Sequence, residues 1–571
     1  MTEHGSGLVL SQPSYRAVFW SLLLVTLVPL WVARCLPCVD LPQHLDSVSI
    51  MRRLAVSNSG GAVAYSLRMY PTHNLLHLIL MYLLSLPGGI ELAAKLFFSA
   101  YVIAFGLALD YLLRVLRADR WLGLTALLFV YNFNFFWGFP GMLAALPLLL
   151  FVLALELEWL QAGKQSVIRW FLLALVWVVG FLAHALGLAL MVVLFCVVLL
   201  CCQNGSRARK RVGILLTTLV PVLVLFVAPW LLVVDHGVPR VPLSQVVESY
   251  RESSPLARLL EVDLQVGSRD AVTRVLVALV PLTVVLRLVF AVRRRGLAEL
   301  RSMPLLTASC LAGACFAGYL LLPARYGMIT ILSDRFATFG YVFLAIVFGL
   351  TPELTGRMRR AFPFAVAIAL LVNASNIAWR FWSMDRVARP GMKMIDSLPA
   401  DKSVLGLIYS DAGLRMFGYP VLLHFATYYP ALRGGFAGYT FAQMAYSPVR
   451  FVGQREFLAT GDEIAPWRHV FPDGWSDYDY VIVLGFPRLK DREYLDRSFR
   501  ICSDGLWCLY AVPCDVGPNS GGLDGESRST CTSGMHPEGP PTDCLPKARR
   551  ASSFSSVMSG LRVLVARLAC Q

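Results

Sequence analysis

The sequence predicts a mainly α, polytopic helical membrane protein of about eleven spans, with juxtamembrane helices and a small C-terminal α/β external domain. Three observations predict it. Of 571 residues, 57% are hydrophobic and only 15% charged, and the mean hydropathy of +0.62 lies far outside the range of water-soluble domains. The apolar residues come in runs of bilayer length, with arginines clustered between them. After residue 382 the composition changes to charged and turn residues that separate short β-type runs. The formal net charge of +15 invites a nucleic-acid reading. Because the basic residues fall between apolar runs, as topology requires, membrane lipids are the expected partners of that charge and nucleic acid is not.

Taken in order, residues 1–15 read as a disordered N-terminus and 16–382 as the transmembrane domain, with its first external loop over 35–90. The first span, 18–33, has little basic character before it and no small-residue cleavage site after it, so it reads as a retained signal anchor. The next apolar stretch, 75–86, is shorter than the roughly 20 residues a helix needs to cross. It opens on Tyr70-Pro71-Thr72-His73, carries His77 in its first turns and runs into Pro87-Gly88-Gly89. It reads as an interfacial or re-entrant helix. The remaining spans fall at 91–113, 121–137, 142–160, 168–183, 186–202, 214–234, 272–292, 305–322, 336–350 and 362–378. Residues 168–202 also admit one broken span in place of a hairpin turning at His184.

Four basic clusters lie between these runs: Arg114, Arg117 and Arg120; Arg207, Arg209, Lys210 and Arg211; Arg293, Arg294, Arg295 and Arg301; Arg357, Arg359 and Arg360. With 75–86 kept out of the bilayer, the positive-inside rule puts all four on the cytoplasmic side. The chain is then an integral protein of the cytoplasmic membrane with a cytoplasmic N-terminus. Its Asp40 loop and C-terminal domain are external. That domain, 383–515, contains strand-like runs at 403–409, 478–484 and 506–512. Cys502 and Cys508 flank a turn and are either a disulfide, which an external compartment permits, or two free thiols. Cys35-x-x-Cys38 is solitary, not one of a repeating metal-type pair. Residues 516–571 read as a disordered tail holding a short amphipathic helix at 552–568.

With this topology the unusual polar residues gather on the outer face. Asp40 and His44 lie four apart at the start of an amphipathic run, where residues at i and i+4 share a helix face. His73, His77, the Asn132–Gly138 end of a span, His184, Asp235-His236, Arg325-Tyr326 and Arg335 join them. Each has an ordinary structural reading: Asp40 as a turn cap, Ser333-Asp334 as a helix cap, Arg325 and Arg335 as snorkelling side chains, His184 as a turn residue. Ionisable residues at membrane depth are costly, and the topology that gathers these rests on Lys and Arg alone, so a site is preferred. The chemistry it suggests is handling of a lipid-linked phosphate. Asp40 could deprotonate an acceptor hydroxyl or ligate a divalent metal, Mg or Mn. Arg325 and Arg335 suit bidentate contact with phosphate, and the histidines could be metal ligands or donate hydrogen bonds to the phosphate.

The order of these parts resembles the type-C glycosyltransferase superfamily, which includes protein O-mannosyltransferases, oligosaccharyltransferase catalytic subunits and lipid A aminoarabinose transferases. The resemblance lies in one span, an acidic external loop with Asp40 and His44, Tyr70-Pro71-Thr72-His73 opening a short apolar helix, then many spans and an external domain. Many members carry two adjacent acids, whereas Asp40 is followed by Leu41-Pro42. The resemblance implies an inverting enzyme that moves a sugar from a polyprenyl-phosphate donor to a lipid, glycan or protein acceptor. It implies Asp40 and His44 as catalytic residues. His73, His77, His184, Asp235, His236, Arg325, Tyr326 and Arg335 would contact substrate and phosphate. Two other classes compete with it, a flippase of a lipid-linked saccharide and a non-catalytic envelope scaffold. The absence of a clear internal repeat counts against the transporter.

Overall fold

The computed structural model describes residues 12–56, 64–67, 73–161, 166–201, 212–213, 215–232, 271–295, 303–325, 331–351, 356–409, 418–444, 447–453, 478–485, 499–504 and 506–512, with isolated positions at 244, 248, 250, 254–255, 258 and 495. Helix dominates. Five helices are long and apolar enough to cross a bilayer, and three shorter apolar ones accompany them among the described residues. Among the described residues these are fewer than the eleven spans expected.

Helix α1 (Gln12–Val32) is followed closely by α2 (Leu41–Val56). Strand β1 (Tyr65–Leu67) leads on to α3 (Leu76–Val115). Helix α3 is two pieces, broken at Gly89, whose φ of 82° and ψ of 175° are not helical. The first piece, 76–88, is only about 20 Å long at roughly 1.5 Å per residue. Its start meets α2 through His77 and His44, and Glu91 just past its end meets Arg34 at the end of α1. Both ends therefore lie in one layer of the molecule. Leu80, Leu83 and Leu86 form an exposed stripe along it, as in a helix lying in the membrane interface.

The expected span at 121–137 is not one helix. The chain forms a single turn, α4 (Arg120–Gly123), a 3-10 stretch (Leu124–Phe129) and another short helix, α5 (Phe133–Trp137). It still passes from one end of the bundle to the other. Asp119 donates its amide to Gly349 at one end, and at the other the carbonyls of Phe136 and Trp137 accept the amides of Val39 and Asp40. Irregular backbone at this depth requires burial within protein and internal partners for its carbonyls. Nearly every residue is buried, and side chains supply the partners. Tyr101 donates to Val130, Asn132 to Phe129 and Val130, and Asn373 to Leu128. Apolar composition throughout made this stretch indistinguishable from a helix by sequence.

Helix α6 (Pro140–Gln161) returns to the opposite end. Helices α7 (Val167–Ala183) and α8 (Ala185–Cys201) then form the tight hairpin at His184. Trp177 meets Phe195 with ring centroids 5.9 Å apart, which a continuous helix would separate by about 27 Å. Helices α9 (Val220–Leu232), α10 (Ala271–Arg295), α11 (Met303–Leu321) and α12 (Asp334–Leu350) complete the membrane core. Arg287 of α10 donates to the carbonyls of Phe348 and Thr351 at the end of α12. The arginine clusters after α3, at the end of α10 and at the start of the following helix thus share one end of the molecule, opposite Asp40. The cluster at 207–211 lies outside the described residues.

That following helix, α13 (Gly356–Ser397), is about 63 Å long, twice the roughly 30 Å hydrocarbon core. The expected domain boundary at 382 falls inside it. Trp379 and Trp382 pack together there, with Arg386 over the Trp382 ring, as at an aromatic belt. Its outer half carries a five-stranded sheet. Strands β2 (Ser403–Ile408), β3 (Phe436–Ala437), β5 (Tyr480–Leu484), β6 (Phe499–Asp504) and β7 (Trp507–Ala511) lie in the order β3-β2-β5-β7-β6. The pairs β3-β2 and β2-β5 are parallel and the other two antiparallel. Trp507 donates to the Val387 carbonyl, which fixes the sheet on α13. Alternate strand residues face away from that helix and form a second small core around Leu405, Leu407, Val481 and Val483. Cys508 is a free thiol, and Cys502 pairs in register with Leu509, so no Cys502–Cys508 disulfide closes this hairpin. Residues 513–571, with the expected tail helix, lie outside the described residues.

Candidate functional site

The layer that holds Asp40 is assembled around the turn that follows Asn132. Asn132 caps α5 by accepting the Asn134 amide, and Gly138 ends that helix at φ 77°. The chain before α2 lies against this turn. The Val39 amide donates to Phe136 and the Asp40 amide to Trp137, at 2.9 and 3.0 Å. A Cβ on Gly138 would stand 2.8 Å from the Asp40 nitrogen, so only glycine allows this approach. Asp40 is thus held through its backbone, immediately before α2.

Its side chain is turned to His424, with Nε2 3.3 Å from Oδ1. His424 comes from the C-terminal domain, just before the short helix α14 (Tyr428–Arg433), and its ring stacks on Tyr439. Asp40 and His44, expected on one helix face, take different side-chain partners. His44 Nδ1 lies 3.1 Å from His77 Nε2, and the Gly138 carbonyl accepts a hydrogen bond from the His44 ring. Burial pulls the His44 pKa down to about 4, against the opposing effect of Asp40, so His44 is neutral near pH 7. Asp40 is not the most deeply buried of these groups. His77 is 2% exposed and its Nδ1 has no partner, whereas the Asp40 side chain is 15% exposed.

A second pair lies beside these. Arg335, in the first turn of α12, has its guanidinium over the Phe139 ring and its Nη1 3.2 Å from His184 Nε2. Asn134 donates to the Arg335 carbonyl, which ties α12 to the same turn that holds Asp40. The Leu186 amide donates to His184 Nδ1. Burial, and then the Arg335 charge, hold the His184 pKa well below the ordinary imidazole value, so the ring is neutral. With Nδ1 accepting, the single ring proton sits on Nε2. The guanidinium and the imidazole stand side by side, within hydrogen-bond distance of each other. A cation and an N–H donor so placed suit an anionic oxygen.

Of the other expected residues, His73 is half-buried in the turn before α3, and burial lowers its pKa. Arg325 is exposed in the loop between α11 and α12. Asp235, His236 and Tyr326 lie outside the described residues. Among the described residues no three His, Cys, Asp or Glu side chains converge as a metal site. Asp40 Oδ1 is engaged by His424 and the neighbouring donors are imidazoles, so this set fits poorly with Mg or Mn, which take oxygen ligands.

Sequence reasoning missed His424 and the residues that bring it there. Gln43 Nε2 donates to Thr427 Oγ1 and to the Tyr439 carbonyl, and Gln43 Oε1 accepts the Phe441 amide. Thr440 donates to Asp46. Strand β1 pairs antiparallel with β4 (Val449–Phe451). The Asp40 loop and the C-terminal domain therefore pack together at one end of the molecule.

No family model matches the chain, and no curated protein matches it. Solved structures do. ArnT from Cupriavidus metallidurans, in the apo state, aligns over 88% of this chain and 98% of its own, with 14% identity and a TM-score of 0.51. The same protein bound to undecaprenyl phosphate aligns with identical figures. Arabinofuranosyltransferase AftD from Mycobacteria aligns over 88% of this chain and 40% of its own, with 14% identity and a TM-score of 0.48. At this identity the likeness to ArnT is one of fold alone.

Proposed function

We propose that this chain, which has the type-C glycosyltransferase fold, is an inverting glycosyltransferase of the cytoplasmic membrane. It takes its sugar from a polyprenyl-phosphate donor and gives it to a lipid, glycan or protein hydroxyl on the external face. The observation that carries the reading is the His184–Arg335 donor pair, held by the same turn that holds Asp40. That pair suits a phosphate oxygen whose charge grows as the glycosidic bond breaks. The ArnT structure bound to undecaprenyl phosphate supports a lipid-phosphate partner for this fold.

The step runs as follows. The acceptor oxygen attacks the anomeric carbon from the face opposite the phosphate, and its proton passes to Asp40 Oδ2. The bond from the anomeric carbon to the phosphate oxygen breaks, and its electron pair leaves on the polyprenyl phosphate between His184 Nε2–H and Arg335. His44, His77 and His73 stay neutral, because burial lowers the pKa of each. No step is routed through a metal, because the donors around Asp40 fit one poorly. The test is transfer by purified protein from a panel of prenyl-phosphate sugars. Asp40→Asn should lower turnover about 10²–10⁴-fold with folding intact. Arg335→Lys keeps the charge, loses the fork and should raise the donor KM more than it lowers kcat. An Asp40→Asn rate within a few-fold of the parent would overturn the role of Asp40.

A further inference from the structure

We propose that His424, delivered by the C-terminal domain, is the positioning residue for Asp40, and that the reacting centre is complete only when that domain is docked on α2. The inference rests on Asp40 acting as the base in the reading above. A carboxylate has two oxygens, and a general base must present one of them to the acceptor hydroxyl in a fixed direction. At Asp40 the backbone is fixed by the Trp137 carbonyl, but that leaves the side-chain torsions open. The contact from His424 Nε2 to Oδ1 closes them and leaves Oδ2 for the incoming proton.

Three features make this a built arrangement. His424 is 7% exposed and stacked on Tyr439, so its ring has little freedom of its own. The segment that carries it is registered on α2 by Gln43, whose side-chain amide has its two donors and its acceptor engaged by Thr427, Tyr439 and Phe441. Gln43 and Asp46 lie within two turns of Asp40 on α2, so displacement of the domain must move His424 away from Asp40. By contrast, His44, the nearest imidazole in sequence, is committed to His77 and Gly138. A group misplaced by about 1 Å can cost on the order of 10²-fold in rate. Loss of His424 should therefore act on kcat and leave donor binding at the His184–Arg335 pair in place.

The experiment is a double-mutant cycle read in kcat and KM, with His424→Gln as the conservative variant and a structure of His424→Ala in lipid nanodiscs. His424→Ala should lower kcat about 10–100-fold with the donor KM within about twofold. His424→Gln, which keeps an N–H donor, should recover most of that loss. In an Asp40→Asn background His424→Ala should cost nothing further, because it acts through Asp40. The His424→Ala structure should show the Asp40 carboxylate rotated away from its parent direction. A full additional loss in the Asp40→Asn background, or an unmoved carboxylate in His424→Ala, would overturn the inference while leaving the glycosyltransferase reading intact. A parent protein that transfers no sugar would overturn that reading, and the inference with it.

Discussion

Gly138 sets where Asp40 sits, and the cost of replacing it can be argued from one angle and one distance. Its φ of 77° disfavours any L side chain by roughly 1–2 kcal/mol, and a Cβ would press on the Asp40 nitrogen at 2.8 Å. Gly138→Ala should lower the melting temperature modestly and kcat by at least about tenfold, since the displaced group is the base. Equal kcat in the two proteins would show that the Asp40 backbone tolerates the shift. Asp46 offers a second test at this scale. Burial pushes its carboxyl up to about 7 from 3.8, against the pull of Arg53 and the Thr440 hydroxyl. A raised carboxyl contributes stability that is full below pH 3.8 and is lost as pH rises through about 7. Asp46→Asn should therefore match the parent near pH 4 and melt higher at pH 8, a difference that thermal unfolding at the two pH values measures. The contrast between Asp46 and His424 shows what a sequence carries. Asp46 stands beside Asp40 in a run already marked as polar at a membrane surface. His424 stands 384 residues away, in a stretch with no pattern of its own, and only the docking of two domains makes it a neighbour.

Among the elements, the stretch from Asp119 to Gly138 departs most from what periodicity implies. A run that is apolar on every face carries no period, so it reads as a buried helix whether or not it coils as one. The signal available was Asn132 and Asn134, two amides in a stretch with no other reason to hold them. Asn132 does two things: its Oδ1 caps α5, and its Nδ2 satisfies the carbonyls of Phe129 and Val130. Two substitutions separate them. Asn132→Asp keeps the cap and loses the donors, leaving two carbonyls facing a carboxylate in a buried place. Asn132→Ala loses both. Cap loss alone costs about 0.5–2 kcal/mol, and a buried unsatisfied carbonyl about 1–3 kcal/mol. Asn132→Asp should thus destabilise at least as much as Asn132→Ala. If the aspartate melts with the parent, the amide donors are dispensable and this account of the irregular segment fails. The short helix at 76–88 was legible for the opposite reason. Its length, its two histidines and its Pro-Gly-Gly end are all in the sequence, and the break at Gly89 falls where they put it.

On the scale of the whole molecule, the arrangement is two polar ends joined by an apolar bundle, and its orientation follows from charge alone. Three arginine clusters share one end: after α3, at the end of α10 and at the start of α13. Asp40, His424, Arg335 and the sheet share the other. Lysine and arginine are retained on the cytoplasmic side during insertion, so the arginine end should face the cytoplasm and the Asp40 end the exterior. The gathering of arginines at one end was readable from sequence because each cluster flanks an apolar run. The position of the sheet over Asp40 was not, because β1–β4 pairing and the Gln43 contacts join residues hundreds apart. Three exposed positions test the orientation and the docking together. Val56 ends α2 and is 88% exposed, Leu506 tips the β6–β7 hairpin, and Val167 starts α7 at the arginine end, 83% exposed. Each is replaced by cysteine in a background cleared of accessible native cysteines. An impermeant maleimide added to intact cells should label positions 56 and 506, and reach 167 only after permeabilisation. Labelling of 167 alone would invert the molecule and put the proposed chemistry in the cytoplasm. Labelling of 56 without 506 would part the C-terminal domain from the first loop, and Asp40 could not then meet His424 at all.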